Sequence, residues 1–431
     1  MWKIHLPPPI NPEKDITTIV SLLHGNTNSK EINAFLEEHE HEKYYHWDKF
    51  RRIPLPPWYT HDDFWKVIKF QRWRWVKIQL LDHQFFFRIP NFLTKKLHYI
   101  DLHMWGSLSG TDLIPRGDEI KYLHSSLIEE SIASSQIEWA ATTREVARDM
   151  ILSERAPRTH DEKMILNNYR AMQFISRSRW KKLDMEVILN LHQILTQGTL
   201  KYGNDEWRFR ISDDIRVVDS TTGETLHIPP KYTEIPWLMD EFLEFFNTHS
   251  EKTFIHPIVK GIIFHFLIWW IHPFADGNGR TARGLYYWYI MNNGYWLTEY
   301  ISISRMIKRS TTDYKNAYLY TETDDNDLTY FIDYNIGCLM DWLDSFKEYI
   351  HNQITKQKIL KDTILETGIN HRQIQILAWL SENHRIVTIQ QTANTFLVTV
   401  PSTRLDLEWL VKNWKLKKVP LNKKTYGYTI P

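Results

Sequence analysis

Residues 272–283, His-Pro-Phe-Ala-Asp-Gly-Asn-Gly-Arg-Thr-Ala-Arg, constrain this chain more than any other segment. Apolar residues recur three and four positions apart in 257–271 before the segment and in 281–290 after it, which predicts two helices joined by a loop. In that loop, His272 can act as a base near neutral pH. Asp276 offers a hard oxygen ligand to a Mg²⁺ ion that bridges phosphates. The segment therefore predicts a phosphate-handling loop between helices.

The glycines and arginines of the segment favour the same chemistry. Gly277 and Gly279 lack side chains, so backbone N–H groups can close on phosphate oxygens where the second helix begins. Arg280 and Arg283 are three residues apart, so they project from one helix face and can both reach a polyphosphate. A plain turn between two helices would explain the glycines, but not the histidine, the acidic residue and both arginines together.

The segment resembles the signature of the Fic family, and most Fic proteins transfer AMP from ATP to a hydroxyl of a target protein. All eight specified positions of that signature are present: His272, Phe274, Asp276, Gly277, Asn278, Gly279, Arg280 and Arg283. The resemblance implies an enzyme, a protein adenylyltransferase that uses ATP and Mg²⁺ and modifies a Ser, Thr or Tyr hydroxyl of a target protein or of itself. Rarer relatives transfer phosphate or phosphocholine, and the signature alone does not separate these reactions.

The resemblance also implies a role for each residue. His272 is the catalytic base that deprotonates the target hydroxyl, and Asp276 holds the metal. Asn278 and the loop amides hold the α-phosphate, whereas Arg280 and Arg283 hold the distal phosphates. The residues expected at the nucleotide are Glu138, Glu224, Thr225, Leu226, His227, Asp276, Gly277, Asn278, Gly279, Arg280, Thr281, Ala282, Arg283 and Tyr314. Tyr314 matches an adenine-pocket tyrosine of the family only loosely.

Residues 215–230 contain a conspicuous strand signal in a chain that has few others. Ile-Arg-Val-Val-Asp at 215–219 is followed by a Thr-Thr-Gly turn at 221–223 and by Glu-Thr-Leu-His-Ile at 224–228, before two prolines. This pattern predicts a β-hairpin. It resembles the Fic flap, a hairpin over the active site whose backbone edge receives the target segment by strand addition.

A second constellation lies upstream of the loop. Ser134 and Glu138 are four residues apart and share a helix face, and this spacing alone favours an ordinary surface helix. They match the Ser/Thr-x-x-x-Glu-Gly/Asn pattern of the inhibitory helix that self-inhibited Fic proteins carry before the core. The resemblance implies an inhibitory helix at about 122–139 whose Glu138 pairs with Arg283. Trp139 departs from the pattern, and its bulk is expected to affect how closely the helix end approaches the nucleotide.

The resemblance predicts a mainly α fold: a Fic helical core with a hairpin flap, an N-terminal helical extension and a C-terminal winged helix. We expect the extension at 1–117, the core at 118–350 with its flap at about 215–230, a linker helix at 351–368 and the winged-helix domain at 369–431. The segment 44–50, Tyr-Tyr-His-Trp-Asp-Lys-Phe, resembles N-terminal extensions of some Fic proteins. We expect it to buttress the core or one side of a homodimer, a target-docking surface being the alternative.

The C-terminal segment predicts three helices, at 371–380, 389–395 and 402–412. Two strands at about 416–421 and 425–430 follow, around a turn at 422–424. Between 404 and 431 there are seven Lys/Arg and two acidic residues, a locally basic patch. Asp406 and Glu408 argue against DNA because they would face phosphates. DNA binding and a protein-interaction or structural role are equally open, so a nucleotide-sensing DNA-binding regulator remains an alternative function.

Whole-chain composition excludes several classes of protein. Lys+Arg number 53 against 52 Asp+Glu, which gives no global signal for nucleic acid or for an anionic membrane. A single cysteine, Cys338, allows no intramolecular disulfide and fits a cytoplasmic location, as does an N-terminus without the apolar core of a secretory signal. The most apolar run, 261–271, is far shorter than the about 20 residues of a membrane span, so no membrane partner is expected.

Overall fold

Helices dominate the structure, as the sequence predicted. It is a computed structural model that describes residues 4–10, 12–24, 34–37, 43–56, 59–72, 76–105, 119–178, 182–219, 222–248, 254–364, 369–383, 386–422 and 425–431. Parts of the predicted features lie outside these residues, among them 106–117 of the N-terminal extension, 220–221 of the flap, 365–368 of the linker helix and 423–424 of the C-terminal turn.

The N-terminal region combines helices with a β-hairpin that we did not predict from the sequence. Its elements are α1 (Pro12–His24), α2 (Trp47–Phe50), α3 (His61–Arg72), β1 (Val76–Leu80), β2 (His83–Phe87) and α4 (Asn91–Met104). Strands β1 and β2 are antiparallel, with Val76 opposite Phe87 and Leu80 opposite His83. The inward side chains Ile78, Leu80, Phe85 and Phe87 join the main core.

The central region is a helical bundle. Its helices are α5 (Glu119–Ile137), α6 (Arg144–Leu152), α7 (His160–Ser178), α8 (Met185–Thr196), α9 (Ile235–Asn247), α10 (Pro257–Ile271), α11 (Asn278–Asn292), α12 (Ile303–Arg309), α13 (Thr311–Thr323) and α14 (Thr329–Ile364). A short hairpin, β3 (Val217–Val218) with β4 (Thr225–His227), lies between α8 and α9. Helix α14 has 36 residues and runs beyond position 350, so 351–364 continues a core helix instead of forming a separate linker.

Helices α10 and α11 form the centre of the bundle. Helix α10 is apolar on every side, which is the pattern of a helix surrounded by protein. Gly261 lets the two helices approach closely, because a Cβ there would stand 2.7 Å from Ile290 Cδ1 and 3.3 Å from Tyr289 Cδ1. The loop predicted to handle phosphate joins these two helices and is therefore held by the most buried part of the protein.

The N-terminal extension packs on the loop between α13 and α14 through buried polar contacts. Lys69 Nζ lies 2.7 Å from Asp324 Oδ1, and Arg72 Nη1 donates to Tyr330 Oη at 2.7 Å. Tyr44 Oη donates to Asp327 Oδ2 at 2.5 Å. These contacts join the extension to the end of α13 and to the start of α14, where Tyr330 lies.

The C-terminal elements follow the predicted order of three helices and two strands. They are α15 (His371–Asn383), α16 (Ile389–Phe396), α17 (Val400–Lys412), β5 (Lys417–Pro420) and β6 (Tyr426–Thr429). They enclose a small core of their own, made of Ile376, Leu380, Val387, Leu407, Leu410, Leu416 and Tyr428. Helix α16 contacts α6, since Gln391 Nε2 donates to Asp149 Oδ1 at 2.6 Å and Asn394 Nδ2 donates to the Leu152 carbonyl.

The expectation that Asp406 and Glu408 face outward towards phosphates is wrong for Asp406, whereas Glu408 remains half-exposed. Asp406 is buried and accepts a hydrogen bond from Arg372 Nε. Glu408 Oε1 lies 2.5 Å from Lys418 Nζ and accepts from Tyr428 Oη at 2.8 Å. Both carboxylates are used inside the C-terminal unit, a placement that helical spacing alone could not reveal.

Among the described residues, no helix combines the length and the apolar character that crossing a membrane requires.

Candidate active site

The site is built on the loop between α10 and α11. His272 ends α10 in the left-handed conformation, with φ 50°, and its N–H still donates to the Ile268 carbonyl at 3.0 Å. Gly277 opens α11 with φ 82°, a backbone region that glycine adopts without strain. These two left-handed residues reverse the chain within one short loop, with His272 at its start and the first turn of α11 at its end.

His272 is prepared to accept a proton. Its Nδ1 lies 3.2 Å from the Trp269 carbonyl oxygen, and because a carbonyl only accepts, the ring hydrogen belongs on Nδ1. No other hydrogen bond involves this ring within the described residues, so Nε2 keeps its lone pair. Burial lowers the pKa of His272 to about 4 from its ordinary value of 6.5. The ring is therefore neutral at physiological pH, which is the state a general base needs.

The first turn of α11 offers a site for an anion. The N–H groups of Asn278, Gly279 and Arg280 have no acceptor among the described residues, and the positive end of the helix dipole lies at this terminus. Such an N-terminus binds phosphate through its amides. The arrangement places an anion site beside a neutral histidine.

The side chain of Asn278 has another role than the one expected of it. It is buried, its Oδ1 accepts from the Phe274 N–H at 2.9 Å and its Nδ2 donates to the Phe274 carbonyl at 2.8 Å. Both ends of the amide clamp the loop, so Asn278 can offer a phosphate its backbone N–H and the second hydrogen of Nδ2.

Arg280 and Asp276 differ in exposure. Arg280 is buried, Nη1 donates to the Leu195 carbonyl at 3.0 Å, and Nε has no partner among the described residues. The Asp276 carboxylate is mostly exposed and accepts from the Gly277 N–H at 2.5 Å. Within the described residues no group of three His, Cys, Asp or Glu side chains could hold a metal. Mg²⁺ is often bound by one or two protein carboxylates together with phosphate oxygens. The single carboxylate of Asp276 fits this kind of site.

Glu138 lies inside the anion site. Its Oε1 accepts from Arg283 Nη2 at 2.8 Å, while Arg283 Nε donates to Ser134 Oγ at 3.0 Å and Nη2 to the Ser134 carbonyl at 3.1 Å. Although burial opposes the charge, the Glu138 carboxylate raises the pKa of Arg283. A Cβ at Gly279 would collide with Glu138 Oε1. The carboxylate thus stands where the α11 amides and Arg283 converge.

Trp139 does not keep α5 away from the site, contrary to the expectation from its bulk. Its side chain is 75% exposed, and its φ of 71° is left-handed. The Ala140 N–H donates to the Ser135 carbonyl at 3.1 Å and the Trp139 N–H to the Gln136 carbonyl at 3.3 Å. This is a Schellman motif with Trp139 at the position that favours Gly or Asn. The family preference at this position therefore matches backbone conformation as well as bulk.

The flap hairpin forms, and His227 anchors it. Val217 pairs with His227, and the Asp219 N–H donates to the Glu224 carbonyl at 2.8 Å. The His227 ring is buried against Trp269, with Nε2 2.8 Å from the Trp270 carbonyl oxygen and Nδ1 2.5 Å from Glu322 Oε1. Hence His227 serves as an anchor close to His272. Glu224 and Thr225 are exposed and Leu226 is half-buried.

Three other residues were predicted to contact the nucleotide: Tyr314, Thr281 and Ala282. The Tyr314 hydroxyl lies 2.8 Å from His265 Nε2 and 3.0 Å from Tyr318 Oη, on α13 near Arg283, and burial raises its pKa. Thr281 and Ala282 are fully buried. Ala282 belongs to the main core, so side-chain contact of these two residues with a nucleotide is not supported.

Two residues that hold the loop were missed in the sequence. Arg210 Nε donates to the His272 carbonyl at 2.9 Å, and the Arg210 N–H donates to the Pro273 carbonyl at 2.9 Å. His192 stacks on Phe274 with 3.7 Å between ring centroids. Both lie more than 60 positions before the loop, and nothing in their local sequence distinguishes them from surface or core residues.

We predict that Trp139→Gly raises the free energy of unfolding by up to about 1 kcal/mol, because a left-handed backbone costs an L-residue about 1–2 kcal/mol. Trp414 is a matched control: it has φ 55° and is 89% exposed, and Trp414→Gly should act in the same direction. Trp237, exposed on the regular helix α9, should give the opposite sign when changed to Gly. Urea unfolding measures all three, and a loss of stability in Trp139→Gly would contradict the assignment.

Comparison with known proteins agrees with this geometry. Residues 182–290 match the Fic/DOC family. Protein adenylyltransferase Fic of Drosophila sechellia and that of Drosophila melanogaster are each 32% identical to this chain over 138 residues, which is 32% of this chain and 25% of the relative. The chain thus spans about a quarter of the length of these curated relatives.

Two solved structures are also similar. A Fic family protein from Desulfovibrio desulfuricans has a TM-score of 0.48 and 20% identity, over 78% of this chain and 94% of the other. A Fic domain-containing signaling protein from Bacteroides thetaiotaomicron has a TM-score of 0.45 and 16% identity, over 60% of this chain and 97% of the other. The segment 182–290, which matches the Fic/DOC family, contains the loop with His272 and Arg283.

Proposed function

We propose that this protein is an adenylyltransferase that moves AMP from ATP to a Ser, Thr or Tyr hydroxyl of a target protein, and that Glu138 inhibits it. The observation that carries the proposal is that one short loop has the neutral His272 ring at its start and the open amides of α11 at its end. The names of the relatives from Drosophila support the same reaction class.

ATP would be held by groups that converge on the start of α11. The N–H groups of residues 278–280 would receive the α-phosphate, while Arg280 and Arg283 would reach the distal phosphates. Asp276 would hold Mg²⁺ together with phosphate oxygens. The metal, when bound, neutralises charge that develops on those oxygens. Tyr314, near Arg283, would line the nucleotide side of this site.

The chemistry assigned to the chain is proton removal and charge stabilisation. The target hydroxyl gives its proton to His272 Nε2, and its oxygen forms a bond to the α-phosphorus. The bond from that phosphorus to the bridging oxygen breaks, and pyrophosphate leaves. The α11 amides and Arg280 are fixed in place before the reaction, so they stabilise developing negative charge without reorganising. The flap edge next to His227 would receive the target backbone.

Inhibition follows from competition for the same donors. The Glu138 carboxylate accepts a hydrogen bond from Arg283 Nη2 and lies against Gly279. A γ-phosphate at this position would find that arginine donor already bonded and would be repelled by the carboxylate. ATP can still enter in another pose, but its α-phosphorus is then out of line with the hydroxyl. A displacement of about 1 Å can reduce the rate about a hundredfold.

The direct test uses ATP radiolabelled at either the α- or the γ-phosphate, with the Glu138→Gly protein and a cell lysate as the source of targets. Protein-bound α-label is expected. Protein-bound γ-label instead would identify phosphoryl transfer and reject AMP transfer. A third incubation with labelled phosphocholine donor separates the remaining Fic chemistry.

A nucleic-acid-binding regulator is the second candidate function, favoured by the C-terminal unit as a winged-helix module. Asp406 and Glu408 are both engaged internally, whereas Arg404, Lys412, Lys415 and Lys417 are exposed. Burial of Asp406 takes one of the two acidic residues off the surface, and the pairing of Glu408 with Lys418 partly offsets the charge of the other, so the basic patch meets less opposition to phosphates. A shift of DNA mobility by the full chain, lost on changing Arg404 and Lys412 to Glu, would support this role, and no shift would reject it.

We predict that His272→Ala abolishes α-label incorporation while ATP binding and fold persist. The pH profile gives a sharper test of the base. Because burial lowers the pKa of His272 to about 4, the ring stays neutral and competent as pH falls through the ordinary histidine value. Incorporation by Glu138→Gly should therefore be nearly constant from about pH 8 to about pH 6 and decline only nearer to pH 4. An acid limb centred near pH 6.5 would contradict the assigned environment of the ring.

We predict that Glu138→Gly raises α-label incorporation about tenfold or more, because it releases Arg283 for the γ-phosphate. The double variant with Arg283→Ala should lose the gain. Gln136→Gly is the matched control, since Gln136 lies in the same last turn of α5 and donates to the Thr142 carbonyl, away from Arg283. An equal gain in Gln136→Gly would mean that loosening the helix end, and not removal of the carboxylate, activates the enzyme.

A further inference from the structure

His192, a buried residue of α8, contacts the catalytic loop in two ways. Its ring is stacked on Phe274 at 3.7 Å and 6° between planes, and Nε2 lies 2.9 Å from the Asp276 carbonyl oxygen. On the opposite side, Nδ1 lies 2.8 Å from the carbonyl oxygen of Glu206. The ring thus connects α8, the loop and the short helical turn Gly203–Trp207.

We propose that His192 is a positioning residue that fixes the carboxylate of Asp276 for Mg²⁺ by holding the carbonyl of the same residue. The proposal rests on the proposed function, in which Asp276 holds the metal with ATP. His192 touches neither substrate nor metal and acts through the backbone of the loop.

The peptide unit between Asp276 and Gly277 transmits this effect. A trans peptide is planar, so its carbonyl and its N–H point in opposite directions and rotate together. In the Nε2–H tautomer His192 donates to the carbonyl, and the N–H at the other side of the same plane donates to Asp276 Oδ1 at 2.5 Å. Fixing one end of the plane therefore fixes the donor to Oδ1, while the other carboxylate oxygen, Oδ2, lies 3.7 Å from Arg280 Nη2.

The position of Gly277 makes this support necessary. Gly277 has φ 82°, and glycine crosses between backbone regions more freely than any other residue. A Cβ there would stand 2.7 Å from Thr196 Cγ2 and 3.5 Å from His192 Nε2, so α8 leaves no space for a stiffer residue. The loop must be glycine at this point, and the hydrogen bond from His192 restrains the peptide plane that glycine leaves free.

Two substitutions separate the contacts of the ring. A neutral imidazole donates through only one nitrogen. The ring therefore need not bind the carbonyls of Asp276 and Glu206 with equal strength. His192→Gln places an amide nitrogen near the position of Nε2 and can keep the bond to Asp276. His192→Asn places it near the position of Nδ1 and can keep only the bond to Glu206. Both variants lose the stacking on Phe274, so each controls for the other.

The experiment is done in the full chain carrying Glu138→Gly, with two readouts. One is the Mg²⁺ concentration that gives half-maximal α-label incorporation, with kcat and KM for ATP. The other is the Mg²⁺ dependence of binding of a fluorescent ATP analogue, which requires no transfer. Loss of an outer partner of a metal ligand typically costs about 10–100-fold in metal affinity. His192→Asn should therefore need at least about tenfold more Mg²⁺ in both readouts, and His192→Gln should restore most of the loss.

The outcomes are distinct. Equal Mg²⁺ requirements in the Gln and Asn variants would overturn the proposal, whether both match the parent or both are impaired. If His192→Asn fails to fold, His192→Phe, which keeps the stacking and loses both hydrogen bonds, replaces it and must also show the raised Mg²⁺ requirement. If the parent protein transfers no label, the proposed function fails, but the binding readout still decides the role of His192.

Discussion

The close contact between α10 and α11 is the constraint on which the site depends. Gly261 allows the contact, and both helices are buried along nearly their whole lengths. Burial fixes where α10 ends and where α11 begins, and the short loop between them has to place His272 and the α11 amides side by side. The same burial lowers the pKa of His272. One packing arrangement therefore sets the position of the His272 ring and also its protonation state.

The start of α11 is a strong anion site whether or not a nucleotide is present. It combines unpaired amides, a helix dipole and two buried arginines, and buried cations left unpaired are costly. In this structure Glu138 provides the negative charge for Arg283. An ATP molecule must supply more negative charge to the same groups than the carboxylate it displaces. Inhibition in our proposal is thus an equilibrium between an internal and an external anion, and a partner that moves α5 can shift it.

The sequence predicted the helix–loop–helix site well because its signals are local. His272, Asp276, the two glycines and the two arginines stand within one short segment, and apolar periodicity marks the helices on either side. The flap hairpin also has a local signal in its turn and its prolines. The mainly helical fold and the order of the C-terminal elements followed from the same kind of pattern.

The contributions that the sequence did not reveal depend on long-range packing or on backbone conformation. Asn278 clamps Phe274, and Asp406 is buried against Arg372, yet each reads in the sequence as an available polar side chain. The hairpin formed by β1 and β2 has strong apolar character, but its pairing is defined by the core it covers. Trp139 shows this limit of sequence-based prediction most clearly. The bulk of its side chain follows from the residue type, whereas its left-handed φ does not.

Residues of the N-terminal region and of the C-terminal unit both form polar contacts with elements near the site. Lys69 and Arg72 hold the loop after α13, the helix of Tyr314, across separations of 255 and 258 residues. Gln391 and Asn394 hold α6, and α6 is tied back to α5 by Arg144 and Arg148 on Glu129. Glu138 is at the end of α5. A chain of contacts thus runs from the C-terminal unit through α6 to α5, whose end carries Glu138, whereas His272 and the α11 amides lie at the ends of two helices of the main core.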